Sequence, residues 1–163
     1  MPTRWGAAAI VMFLLSLQAC GGMRESHDVV APLQQTPDTT IGMLDRHLTE
    51  LSGNINRLTD RMDDLRRMPE TPDPTIRDLR ALDLAGWELH QQQWVLQREH
   101  LRFARTQLQR VIESPGDKAH IRDEWMKHEQ AFEAAMDDFR QQRHALEQKR
   151  LQVEAQAIDR FFE

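Results

Sequence analysis

Ile41, Leu44, Leu48, Leu51, Ile55, Leu58, Met62 and Leu65 recur at alternating intervals of three and four residues. Such alternation nearly matches the turn of an α-helix and lays all eight side chains along one narrow stripe. A strand alternates every second residue and would scatter them over both faces. With Ile41 at position a, the d positions Leu44, Leu51, Leu58 and Leu65 are all leucine. The next a position is Pro69, which lacks an amide hydrogen and stops the helix. The seam therefore predicts a heptad helix over 40–68. Gly42 and Gly53 lie off the stripe and each weaken that helix by about 1 kcal/mol.

Residues 69–74 carry Pro69, Pro72 and Pro74 and read as a linker. Asp73 followed by Pro74 reads as an N-cap with proline in the first turn. The second helix is expected to end near Glu113 and carries two seven-residue series. Trp87, Trp94, Leu101 and Leu108 form one, and Leu82, Leu89, Leu96 and Phe103 form the other. The two stripes stand about 140° apart at 100° per residue, so this helix needs a neighbour on each side. Ser114-Pro115-Gly116-Asp117 breaks the pattern over 114–117, and Ser114 with Asp117 fits a capping box. In a third helix Trp125, Phe132, Phe139, Leu146 and Val153 recur every seven residues. Near the end the stripe shifts to Leu151, Ala155, Ile158 and Phe162, a stutter-like change of phase. The terminal Phe161-Phe162 pair is expected to close the bundle end.

The expected fold is all-α: a long antiparallel helical hairpin over 75–163 plus the heptad helix, as a three-helix bundle or a coiled coil. Ile at a and Leu at d favour a parallel dimer. The flanking pairs of such a dimer would be His47–Ser52, Asn54–Thr59 and Arg61–Arg66, none attractive and one repulsive. Together with the two-sided second helix, those pairs favour packing within one chain.

Upstream, residues 1–19 hold Arg4, then an apolar run from Trp5 to Leu17. Spanning a bilayer takes about 20 apolar residues, so the run suits a signal-peptide core. It ends in Leu17-Gln18-Ala19-Cys20-Gly21, and Cys20 is the single cysteine of the chain. This segment resembles the lipobox of bacterial lipoproteins, with Leu17, Ala19, Cys20 and Gly21 matching and Gln18 bulkier than usual. The resemblance covers the signal region alone. It implies cleavage between Ala19 and Cys20, a diacylglyceryl thioether on Cys20 and acylation of the new amino terminus. Two or three chains anchor stably, at about 0.8 kcal/mol per buried CH₂. Gly21, where an Asp would tend to retain such proteins at the inner membrane, implies outer-membrane sorting with the body in the periplasm. Residues 20–39 lack a helical period and read as a disordered, lipidated tether reaching about 60 Å when fully extended.

A lone cysteine excludes disulfides and multi-cysteine metal sites. The formal charge of −5, from 21 basic and 26 acidic residues, argues against a nucleic-acid partner, which needs a basic surface. His120, Glu124 and His128 lie at i, i+4 and i+8, a weak candidate set for Zn²⁺. His128 occupies a seam slot and the neighbouring face is aromatic, so no metal is expected. His90 and His100 lie among Gln91, Gln92, Gln93 and Glu99 and read as part of a solvated face. Ser26, Ser52 and Ser114 stand outside any Gly-x-Ser-x-Gly elbow, and no glycine-rich phosphate loop is present. No catalytic residue is assigned and no enzyme is expected. No cofactor is expected beyond the covalent lipid, and no small-molecule substrate.

The expected role is a membrane-tethered periplasmic scaffold or interaction lipoprotein. Its partners would be the bilayer, through Cys20, and another protein or a second copy, through helical surfaces. The alternative is a stress chaperone or metal sensor of the Spy type, similar in size and helix content. The Leu-Thr-x-x-Gln repeats of that type are not matched by Leu48-Thr49-Glu50-Leu51-Ser52 or Leu58-Thr59-Asp60-Arg61-Met62. The major murein lipoprotein also resembles this chain in having a lipidated Cys before a heptad helix. It joins the wall through a C-terminal Lys, whereas this chain ends Arg160-Phe161-Phe162-Glu163.

Overall fold

The computed structural model describes residues 37–162. The chain divides into two compact units, Met1–Thr40 and Ile41–Glu163. Of the first, the described part is Pro37–Thr40, the opening turn of a helix. Among the described residues there are helices and turns and no strand. Helix α1 spans Pro37–Arg67, α2 spans Pro74–Glu113, a one-turn 3-10 helix covers Pro115–Asp117, and α3 spans Lys118–Phe162. The first helix begins three residues before the expected boundary at 40. Pro37 suits that place, because a first-turn amide has no intrahelical acceptor to lose.

All eight residues of the heptad seam are buried or half-buried, with Leu44, Ile55, Leu58 and Met62 buried. The seam packs within the chain. Among the described residues, three side-chain pairs tie α1 to α2: Arg105 with Asp45, Gln91 with Thr59 and Arg66 with Glu88. As the α1 number rises the α2 number falls, so the two helices run antiparallel. The expected cap forms at Asp73, whose Oδ1 accepts from the Thr75 amide at 2.8 Å and the Ile76 amide at 3.4 Å. In the linker, Arg80 Nη1 donates to the Pro69 carbonyl at 2.7 Å and pins the turn against α2.

Helices α2 and α3 form the antiparallel hairpin, with arms of about 60 and 68 Å at 1.5 Å per residue. Contacts run from Arg110–Glu124 near the turn through Gln93–Arg143 and Asp83–Arg150 to Thr75–Arg160 at the open end. The turn differs from a capping box. Ser114 makes no side-chain cap bond, and its amide closes α2 on the Arg110 carbonyl at 2.8 Å. The Asp117 amide then bonds the Ser114 carbonyl at 3.1 Å, giving a 3-10 turn. Asp117 turns its carboxylate toward Arg110, 3.6 Å away, in place of the cap.

Helix α3 keeps its original phase to the end. Trp125, Phe132, Phe139, Leu146, Val153 and Ala157 are half-buried, and Ile121 and Met136 are buried. The shifted stripe faces outward instead: Leu151 and Ile158 are each 59% exposed, Phe162 is 82% exposed, and Ala155 is exposed too. The packed seven-residue series wins because it continues the face already seated on α2. Phe162 is thus largely exposed, and the side chain of Phe161, the other member of the terminal pair, lies outside what is described.

Candidate functional site

The most concentrated side-chain chemistry among the described residues lies between α2 and α3, about two to four turns from their connection. It is built on a polar series that repeats every seven residues along α2. Gln93, His100 and Gln107 are all buried. Seven residues are nearly two helical turns, so the three share one face. Each meets a different layer of α3. Gln93 Oε1 accepts from Arg143 Nη2 at 2.8 Å. Gln107 Nε2 donates to Glu124 Oε2 at 3.3 Å, and its Oε1 accepts from Arg110 at 3.0 Å. Buried amides are costly to leave unsatisfied, so these bonds penalise any sliding of α3 along α2.

His100 occupies the middle layer and is 2% exposed. Its ring stacks on Phe132 with centroids 3.9 Å apart and on His128 at 5.2 Å, the two imidazoles 9° from parallel. His128 stacks in turn on Phe103 at 3.9 Å. Trp125 flanks the group, 5.6 Å from His100 and 5.9 Å from Phe103. Phe132, His100, His128 and Phe103 thus alternate between the helices. Glu129 Oε2 lies 3.7 Å from His100 Nε2. Neither His128 Nε2 nor Glu129 Oε2 makes a hydrogen bond among the described residues.

Burial sets the charge states here. It lowers the His100 pKa to about 4, with the neighbouring His128 adding to the shift. It lowers His128 as well. Burial raises Glu129, assisted by the negative charge of Glu133. At neutral pH both imidazoles are uncharged, and they fill the interface as flat, weakly polar rings.

The turn side holds a different group. Glu124 accepts from Arg110 and stands 3.0 Å from His120 Nε2. The hydrogen bond from Arg110 holds the Glu124 carboxyl below the ordinary carboxylate range, with charge attraction from Arg110 and His120 assisting. The candidate metal set is therefore split. His120 and Glu124 meet at the rim, whereas His128 points into the aromatic stack. No cluster of three or more His, Cys, Asp or Glu side chains placed to hold a metal occurs among the described residues.

Two clefts flank the α2–α3 interface farther along the arms. One, of about 270 Å³, lies over Leu82, Gly86, Trp87 and Leu146. The other, of about 300 Å³, lies over Ala85, Gln92 and Ala145. His90 is exposed beside the first and sets its ring edge-on to Trp94, with centroids 4.2 Å apart. Burial, and then the charge of Arg143, lower its pKa.

His90 lies on the solvated face expected of it. His100 does not, because the polar residues around it misled the sequence reading. The usable signal was its position three residues before Phe103, which puts both on one face. Leu17, Gln18, Ala19 and Cys20 lie outside the described residues. No described helix is long and apolar enough to cross a membrane. Comparisons with protein-family models, curated proteins and solved structures find no match to this chain.

Proposed function

We propose that the chain is a lipid-anchored interaction protein of the cell envelope. Cys20 would be acylated and held in the outer membrane, with the helical body in the periplasm. The protein would act by binding another protein, without catalytic chemistry, nucleic acid or a small-molecule substrate. The observation that carries the reading is the lone cysteine in Leu17-Gln18-Ala19-Cys20, placed at the end of an apolar run too short to span a bilayer.

Two features of the body support the binding role. The two arms present a long rod-like surface and shallow clefts, unlike the enclosed pockets most enzymes use. Leu151 and Ile158, about two turns apart on the outward face of α3, leave large apolar side chains open to a partner.

The test has two arms. Cys20→Ala should move the protein from the membrane to the soluble fraction and abolish labelling by a fatty-acid probe. Unchanged fractionation and labelling would sink the anchoring. Crosslinking in intact cells, read by mass spectrometry, should recover one recurrent envelope protein on α2 or α3. Self-contacts alone would replace a partner-binding role with a homomeric one.

A further inference from the structure

We propose that the paired imidazoles of His100 and His128 form an acid-sensitive latch, which holds α2 against α3 when both rings are neutral and releases that half of the hairpin when they gain charge. The inference concerns the helical body alone and does not depend on the anchoring or on any partner.

The geometry makes the latch. His100 is buried between Phe132 and His128, and His128 rests against Phe103, so as neutral groups both rings fill the stack without placing charge in it. Protonating both sets two positive charges face to face at 5.2 Å, in a layer walled by Phe103, Trp125 and Phe132. At His100, 2% exposed, water screens the charge little until the helices part. The charged and titratable groups facing His100 from α3 are His128 and Glu129, with Glu133 beside Glu129. Among the described residues Glu129 supplies a counter-charge beside His100. Burial, with Glu133 assisting, favours its neutral form, so acidification discharges it earlier than an exposed carboxyl.

The direction of the response follows from proton linkage. A histidine whose folded pKa lies below its unfolded value stabilises fully above about 6.5. That contribution is lost as the pH falls toward the folded value, about 4 for His100. Glu129 acts in the opposite sense, because its burial cost vanishes once it is protonated. Two imidazoles outweigh one carboxyl, so the net response to acid is opening. For His100 alone the closed-to-open ratio should fall about 150-fold between pH 7.5 and pH 4.

Hydrogen–deuterium exchange on the full chain in mild detergent, corrected for the intrinsic pH dependence of exchange, tests this. Amides in 96–107 and 121–136 should lose at least tenfold in protection between pH 7.5 and pH 4.5. His100→Phe keeps a flat ring and removes the charge, and should abolish most of that loss. His128→Phe, at a half-buried position, is read in the same way and covers the case in which His100→Phe does not fold. Equal protection of the wild-type chain at the two pH values would overturn the latch. So would an undiminished loss in whichever phenylalanine variant folds.

Discussion

Arg105 grips Asp45 across 60 residues of sequence, with Nε donating to Oδ1 at 2.6 Å and Nη2 to Oδ2 at 3.4 Å. The fork-shaped contact ties α1 to α2 within one chain, and so answers how the heptad seam is satisfied. Both side chains are more than two-fifths exposed. Exposed pairs of this kind contribute about 0.2–1 kcal/mol. A double-mutant cycle with Asp45→Ala and Arg105→Ala should therefore give a coupling below about 1 kcal/mol in urea unfolding. The coupling should not vary with protein concentration. Concentration dependence would mean that the contact forms between chains.

Burial of the seam and of the hairpin core should dominate stability instead. Leu101 is 1% exposed, about two-thirds of the way along α2. Leu101→Ala removes three buried carbons and leaves a void, so it should cost about 2–5 kcal/mol. Leu151 is 59% exposed on the outward stripe of α3. Leu151→Ala should stay within about 0.5 kcal/mol of the parent. Urea titrations followed by far-ultraviolet circular dichroism compare the two directly. Equal losses would contradict the phase assigned to α3.

That phase was the point at which apolar periodicity alone misled. The seam from Ile41 to Leu65, the two-sided second helix and the Asp73-Pro74 start were all legible, because each is a local pattern with one physical reading. The C-terminal stripe was not, since Leu151, Ala155, Ile158 and Phe162 make as good a helical face as the series ending at Val153. Only the helix already paired with α3 decides which face turns inward. Gln93, His100 and Gln107 escaped for the opposite reason. A search for apolar repeats passes over polar ones, although a seven-residue polar series can line an interface when the facing helix supplies partners. Ser114 could have capped α3, but the tight connection used a 3-10 turn.

The rim of the hairpin turn should respond to acid independently of the buried rings. Arg110 donates to Glu124 and lowers its pKa, with His120 adding attraction. A carboxyl with a lowered folded pKa stabilises above its unfolded value, near 4.5, and loses that contribution as the pH falls through the folded one. Glu124→Gln should therefore lower stability at pH 7 and flatten the stability profile below about pH 4.5. Arg110→Gln should raise the Glu124 pKa toward the ordinary carboxylate range. Carboxyl-carbon shifts in a titration by nuclear magnetic resonance measure that change. An unmoved pKa would show that Arg110 is not its cause.

Gly42 and Gly86 offer a test in the stabilising direction. Both lie inside helices, where glycine leaves the unfolded chain more freedom than alanine does. A Cβ built at either position meets nothing within 4 Å. Neither glycine is required by a close approach in the folded body, so Gly42→Ala and Gly86→Ala should each add about 0.5–1 kcal/mol. Because the sites lie on different helices with no shared neighbour, the double variant should add close to the sum. Gly86 borders the cleft over Trp87 and Leu146. If Gly86→Ala raises the unfolding midpoint yet weakens capture of the crosslinked partner, the space above Gly86 serves binding. If it raises the midpoint and leaves capture unchanged, the partner contacts another part of the arms.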